Sequence, residues 1–96
     1  MSGRYTLEQR EIISKIKTIL ADFLNIPVAK ALLISVDKPF DEMMSSVVAM
    51  DFIQHLREEF DSELCWGRIS ENPTIDGILE VLLDEKEGGY KCNSGN

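Results

Sequence analysis

Residues 45–60 read Ser-Ser-Val-Val-Ala-Met-Asp-Phe-Ile-Gln-His-Leu-Arg-Glu-Glu-Phe, and this stretch decides the fold class of the chain. Apolar residues return along it at steps of three and four, which is the spacing of one face of an α-helix. The stripe comprises Val47, Met50, Ile53, Leu56 and Phe60, and Phe52 widens it. Ser45 predicts an N-cap, because its hydroxyl can accept from the unpaired amides of the first turn. Ser46 is then the first helical residue, at the positive end of the helix dipole.

Two further amphipathic helices are predicted on either side of this segment. Thr6 and Gln9 have the Thr-x-x-Gln spacing of a capping box, so a helix should begin there and end near Asn25, before Pro27. Its apolar stripe comprises Ile12, Ile13, Ile16, Ile19, Leu20, Phe23 and Leu24. Thr74 predicts the N-cap of a last helix. The stripe of that helix comprises Ile75, Ile78, Leu79, Leu82 and Leu83.

The segments between these helices are less regular. Residues 26–44 contain Pro27, Pro39 and an apolar cluster at 32–36 without clean alternation, and they predict a long structured loop. The cluster could also form a short strand, although no second strand is available to pair with it. Residues 61–73 predict a loop with one short helical turn near Arg68, with Trp66 as a core or edge anchor.

The predicted fold is all-α, a small bundle of three to four helices with a long first loop. Amphipathic helices of this kind can bury their apolar stripes only against one another. The 96 residues allow one compact domain. We expect residues 1–5 to be a disordered start or a cloning remnant, residues 6–87 to form the domain, and residues 88–96, which open on two glycines, to be a disordered tail or linker.

The composition argues against several classes of partner. Lysine and arginine number 10 against 17 aspartates and glutamates, a formal charge of -7, so the surface repels phosphate backbones and no nucleic acid partner is expected. The same charge suits docking onto basic patches of other proteins. No apolar run approaches the roughly 20 residues that span a bilayer, which predicts no membrane partner and a cytoplasmic location. The isolated domain is expected to be monomeric.

The signatures of a self-sufficient enzyme are missing from the sequence. It has no glycine-rich phosphate loop and no paired histidine or cysteine ligands, and its one histidine, His55, falls away from the apolar stripe of residues 45–60. Cys65 and Cys92 have neither zinc-type spacing nor a disulfide framework around them, so both are expected to be ordinary thiols. We therefore expect no catalytic residue and no metal site.

The segment around Ser46 resembles the acyl carrier protein family, most closely the carrier domains of polyketide synthases. Residues 39–47, Pro-Phe-Asp-Glu-Met-Met-Ser-Ser-Val, look like that family's Phe-x-x-Leu-Gly-x-Asp-Ser-Leu shortened by one residue. Ser45 stands in place of the family's aspartate, and Met43 and Met44 in place of its Leu-Gly neighbourhood. Residues 56–60 are similar to the family's Leu-x-x-x-Phe, and Asn-Pro-Thr-Ile-Asp at 72–76 resembles the opening of its last helix. The resemblance covers about residues 7–85.

The resemblance implies that Ser46 carries 4'-phosphopantetheine, attached covalently from coenzyme A. Counting the apolar register back from Phe60 selects Ser46 rather than Ser45. Acyl groups would be held on this arm as thioesters and presented to polyketide or fatty acid synthase enzymes. The implied partners are a phosphopantetheinyl transferase, a ketosynthase, an acyltransferase and other synthase domains. The predicted recognition surface beside the arm comprises Met44, Val47, Val48, Asp51, Gln54 and Glu58.

Two other interpretations are compatible with the sequence. The chain could be the peptidyl or aryl carrier domain of a nonribosomal peptide system, although its acidic helix and its Pro-Thr-Ile segment favour the polyketide type. It could also be an unmodified helical docking or scaffold module, in which Ser46 does no more than help to begin the helix.

Overall fold

Residues 5–86 are described by a computed structural model, in which helices account for 71% of these residues and no strand is present in this range. The α-helices are α1 (Leu7–Leu24), α2 (Val28–Ala31), α3 (Ser46–Phe60), α4 (Trp66–Glu71) and α5 (Ile75–Lys86), and a 3₁₀ helix lies at Phe40–Glu42. This confirms the predicted all-α fold. The apolar cluster at 32–36 forms turns rather than the alternative strand.

The ends of α1 lie where the sequence predicts them. The hydroxyl of Thr6 accepts from the amide of Gln9 at 3.1 Å, and the side chain of Gln9 accepts from the amide of Thr6 at 3.2 Å. These two bonds form the capping box. Asn25 ends the helix in the left-handed conformation, with φ 58°. Helix α1 then packs against α2, α3 and α5, so it is the central element of the bundle.

The segment at 26–44 differs from the predicted long loop, because it contains α2 and the 3₁₀ helix. The carbonyl of Pro27 accepts from the amides of Lys30 and Ala31 at 3.0 and 3.1 Å, so the proline opens α2. Phe40, at the start of the 3₁₀ helix, is fully buried, and its ring meets that of Phe52 edge-on at 5.6 Å. Elements of three and four residues are shorter than the window in which a helical period can be recognised.

The buried face of α3 is rotated from the predicted stripe. Its buried residues are Ala49, Phe52, Ile53 and Leu56. Val47 and Met50, which the periodicity places in the stripe, are 71% and 55% exposed. The aromatic rings decide this orientation: Phe52 packs edge-on against Phe23 of α1 and against Phe40, each at 5.6 Å. The side of α3 that bears Phe52 therefore faces the interior, and Val47 and Met50 face outward.

Two backbone hydrogen bonds fasten the first loop to the beginning of α5. The amide of Phe40 donates to the carbonyl of Pro73 at 2.7 Å, and the amide of Asp76 donates to the carbonyl of Val36 at 2.9 Å. Thr74 caps α5 as predicted, since its hydroxyl accepts from the amide of Gly77 at 2.9 Å. The loop that leads to α3 is thus hydrogen-bonded to Pro73, just before α5, and to Asp76, in the first turn of α5. We call these two bonds the loop braces.

The beginning of the chain differs in part from the predicted disordered segment. Tyr5 packs against the core, and its hydroxyl donates to the carboxylate of Asp76 at 2.9 Å. The ordered part of the chain therefore starts before the capping box. The remainder of the predicted leader, residue 87 of the predicted domain, the predicted tail at 88–96 and Cys92 lie outside the described residues.

Cys65 differs from the ordinary thiol that the sequence predicts. It is 5% exposed and disulfide-bonded. Pairing depends on the approach of two α-carbons in space, so widely separated cysteines give no local pattern that would reveal it.

Candidate functional site

Ser46 occupies the position that the sequence predicts, the first residue of α3. Ser45 is the N-cap, in an extended conformation with φ -69° and ψ 164°, and its hydroxyl accepts from the amide of Val48 at 3.3 Å. Its carbonyl accepts from the amide of Ala49 at 2.8 Å. Ser46 itself is exposed. The two adjacent serines therefore have different positions: Ser45 holds the helix end, and Ser46 presents its hydroxyl beside it.

The surroundings of Ser46 suit a phosphate ester. The amides of Ser46 and Val47 precede the first intrahelical hydrogen bond of α3, so both can donate to a phosphate oxygen. The first turn contains no acidic residue, and the helix dipole is positive at this end. A phosphodiester on the Ser46 hydroxyl would therefore meet donors and a favourable field rather than repulsion.

The support under Ser46 is built by the segment that precedes it. Phe40 is fully buried, and the amide of Met43 donates to its carbonyl at 3.0 Å to close the 3₁₀ turn. The loop braces hold this turn against the start of α5. Ser46 follows the turn by only a few residues, so its position relative to the bundle is fixed by packing.

Four of the six residues predicted to form the recognition surface are exposed. Val47, Asp51, Gln54 and Glu58 are all exposed on α3. The carboxamide of Gln54 accepts from Arg57 at 3.2 Å and donates to Glu58 at 3.5 Å, so it is oriented along the helix.

Met44 and Val48, the other two predicted residues, are less exposed than the sequence predicts. Both are half-buried rather than exposed. Met44 packs against the core, since it lies between the 3₁₀ turn and the cap of α3. The apolar part of the surface is therefore carried mainly by Val47.

The surroundings of two residues of α3 do not follow from the periodicity. Met50, which the periodicity places in the buried stripe, is 55% exposed. Arg57 is half-buried, and its guanidinium donates to the carboxamide of Gln54 at 3.2 Å and to the carbonyl of Leu64 at 3.4 Å. Both surroundings depend on how α3 is oriented against its neighbouring elements.

Other titratable side chains do not assemble a second centre among residues 5–86. No group of three or more His, Cys, Asp or Glu side chains in that range is placed to hold a metal ion. His55 is exposed, and its ring meets the ring of Phe23 edge-on at 5.8 Å. None of the helices described is long and apolar enough to cross a membrane.

Comparison with known proteins identifies the family. Residues 14–82 match the family model described as phosphopantetheine attachment site, a range that runs from α1 to α5 and includes Ser46. No match was found among curated proteins or among solved structures. Carrier domains of this family are in general non-catalytic, and they interact with phosphopantetheinyl transferases and synthase enzymes. The chain therefore belongs to the phosphopantetheine attachment site family, as a carrier domain whose cofactor is covalently attached 4'-phosphopantetheine.

Proposed function

We propose that this chain is an acyl carrier domain, which holds acyl groups as thioesters on the phosphopantetheine arm of Ser46 and presents them to polyketide or fatty acid synthase enzymes. The observation that carries the proposal is the exposed hydroxyl of Ser46 at the first turn of α3, directly after a neighbour that caps the helix. The family match covers this segment.

Each residue near the attachment point has a separate task. The Ser46 oxygen forms the ester bond to the phosphate, and the amides of Ser46 and Val47 can donate to the phosphate oxygens. Ser45 keeps the first turn of α3 closed through its bond to Val48. The arm, when attached, supplies a terminal thiol that forms thioesters. The domain itself contributes position and exposure, and we propose that it catalyses no step.

The surface beside Ser46 is proposed to dock the partner enzymes. Val47 offers an apolar contact, while Asp51 and Glu58 offer negative charge on the same outward face of α3. With a formal charge of -7, the domain would be steered toward basic patches on a transferase, a ketosynthase or an acyltransferase.

Intact mass spectrometry tests the attachment site. The protein is incubated with coenzyme A and a broad-specificity phosphopantetheinyl transferase, and a gain of the size of phosphopantetheine is expected. Ser46→Ala should abolish the gain. Ser45→Ala is the matched control, since it removes the neighbouring hydroxyl and should keep the gain.

The outcomes separate the candidate functions. A gain that survives in Ser46→Ala and disappears in Ser45→Ala would move the site to the neighbouring serine. Absence of any gain with several transferases would favour the unmodified scaffold module. Loading of the modified protein by an adenylation domain but not by an acyltransferase would favour the peptidyl or aryl carrier.

A further inference from the structure

Cys65 lies at the junction between the loop after α3 and the short helix α4. Its carbonyl accepts from the amides of Arg68 and Ile69, each at 3.1 Å, and so begins α4. Ile69 is fully buried in the core. The side chain of Cys65 is 5% exposed and disulfide-bonded. A covalent bond at this position therefore acts on a part of the fold that is packed against the core.

The sequence limits the possible partners of Cys65. The chain contains two cysteines, and the other one is Cys92. A bond between the Cys65 residues of two molecules would need both sulfurs at the surface, whereas Cys65 is buried. The partner within the chain is therefore Cys92, which follows Lys86, the last residue of α5, by six positions.

The end of α5 already lies beside the loop that leads to Cys65. The amide of Leu64 donates to the carboxylate of Glu85 at 3.0 Å. A chain extends by at most about 3.3–3.6 Å per residue, so the segment after Lys86 can span about 20 Å before it reaches the second cysteine. A disulfide needs its two α-carbons about 4.4–6.8 Å apart. The segment is long enough to return to Cys65, and the two glycines at 88–89 permit a sharp reversal of direction.

We propose that Cys65 and Cys92 form an intrachain disulfide, a clasp that ties the C-terminal segment to α4 and makes the stability of the domain depend on redox conditions. The bond closes a ring that contains α4 and α5, together with Pro73 and Asp76 of the loop braces. A disulfide stabilises a fold mainly because it restricts the unfolded chain. The clasp therefore stabilises the part of the fold that holds the loop before Ser46. The proposal does not depend on attachment of a cofactor to that serine.

Closing the clasp is a two-electron oxidation, and a low-molecular-weight disulfide such as oxidised glutathione is the oxidant. The thiolate of one cysteine attacks the glutathione disulfide, and one glutathione leaves. The thiolate of the second cysteine then displaces the other glutathione from the mixed disulfide. One S–S bond is broken and one is formed, and the two protons of the cysteine thiols end on the two released glutathione thiols. The reverse exchange with reduced glutathione opens the clasp.

Peptide mapping of the full chain tests the connectivity. The protein is equilibrated with oxidised glutathione, alkylated in denaturant without a reductant and digested with trypsin. We expect one linked pair of peptides, residues 58–68 with residues 92–96, which separates when the digest is reduced. Alkylation of both cysteines, a glutathione adduct on either of them, or a disulfide-linked dimer would refute the clasp.

Thermal unfolding tests the redox dependence. The oxidised protein should melt about 15 °C above the protein treated with a phosphine reductant, as a bond that closes a ring of this size implies. Cys92→Ser should melt with the reduced wild type and should not respond to the reductant. Ser94→Ala, the matched control in the same segment, should respond as the wild type does. Equal melting temperatures for the oxidised and reduced wild type would overturn the proposed redox dependence.

Discussion

The close approach of Gly77 to Asn72 predicts that one added methyl group at the start of α5 destabilises the whole domain. A Cβ on residue 77 would lie 2.1 Å from the carbonyl oxygen of Asn72 and 3.2 Å from its carbonyl carbon. That carbonyl also accepts from the amide of Thr74 at 2.7 Å. The oxygen cannot turn away without breaking this bond. Gly77→Ala should therefore displace the turn that carries Pro73 and, through the loop braces, the loop before Ser46.

The expected magnitude follows from three contributions. A carbon and a carbonyl oxygen in ordinary contact are about 3.3 Å apart or more, so the turn must retreat by roughly 1 Å. Overpacking of this kind costs about 1–3 kcal/mol, and a weakened turn hydrogen bond costs about 1 kcal/mol. Alanine restores about 1 kcal/mol through its better helix propensity. The net loss for Gly77→Ala is about 2 kcal/mol, which lowers the melting temperature by about 10 °C in a domain of this size.

Urea unfolding followed by circular dichroism measures the change, and Gly67→Ala is the matched control. Gly67 is an exposed residue of α4, where a Cβ would meet only the sulfur of Cys65, at an ordinary 3.9 Å. The control should gain about 0.5–1 kcal/mol of unfolding free energy, because helix propensity acts there without a clash. The change in unfolding free energy should therefore have opposite signs in Gly77→Ala and Gly67→Ala. If both variants gained stability alike, the clash with Asn72 would not determine the effect of Gly77→Ala, and the prediction would be wrong.

Three other variants probe the cap, the docking surface and the end of α5. Ser45→Ala removes the cap of α3 and should lower the unfolding free energy by about 1 kcal/mol in urea titrations; an unchanged value would show that the cap bond contributes nothing. Lysine at both Asp51 and Glu58 should slow transfer of the arm in a time-resolved mass assay, with unfolding free energy held within about 0.5 kcal/mol, and a large stability loss would contradict their assignment to the surface. Glu85→Gln removes the charge of the carboxylate that accepts from the amide of Leu64 at 3.0 Å. The Leu64 amide should then exchange with solvent about tenfold faster, as a loss of about 1.4 kcal/mol would give. Equal exchange rates in the two proteins would exclude a stabilising role for the Glu85 charge.

The helices could be predicted from sequence because their ends carry local chemistry. The capping box of Thr6 and Gln9 and the caps at Ser45 and Thr74 all form as predicted. The orientation of α3 could not be predicted, because apolar residues occur on more than one side of it. Only the rings of neighbouring elements decide that Phe52 faces inward and Met50 outward.

In the candidate site, too, some features follow from local sequence and others depend on tertiary packing. The position of Ser46 depends on a helix cap, which is local, and the sequence predicted it. The contacts of Arg57, among them its bond to the carbonyl of Leu64 in the following loop, depend on which partners its side chain finds in the folded chain. That loop bends through a left-handed residue, Leu64 with φ 36°, which no turn motif in the sequence signals. Contacts of this kind are set by tertiary packing and have no signature in residue spacing.

The loop braces have a consequence for the order of events during protein synthesis. They join Phe40 to Pro73 and Val36 to Asp76, so the segment that steadies Ser46 is anchored to a part of the chain made much later. Pairings between such distant positions form late, since the intervening chain must first be brought together. On a translating ribosome, the serine leaves the exit tunnel well before its anchor does. We therefore expect the transferase to modify Ser46 only after the last helix has emerged, and a nascent chain stalled short of that helix to be a poor substrate.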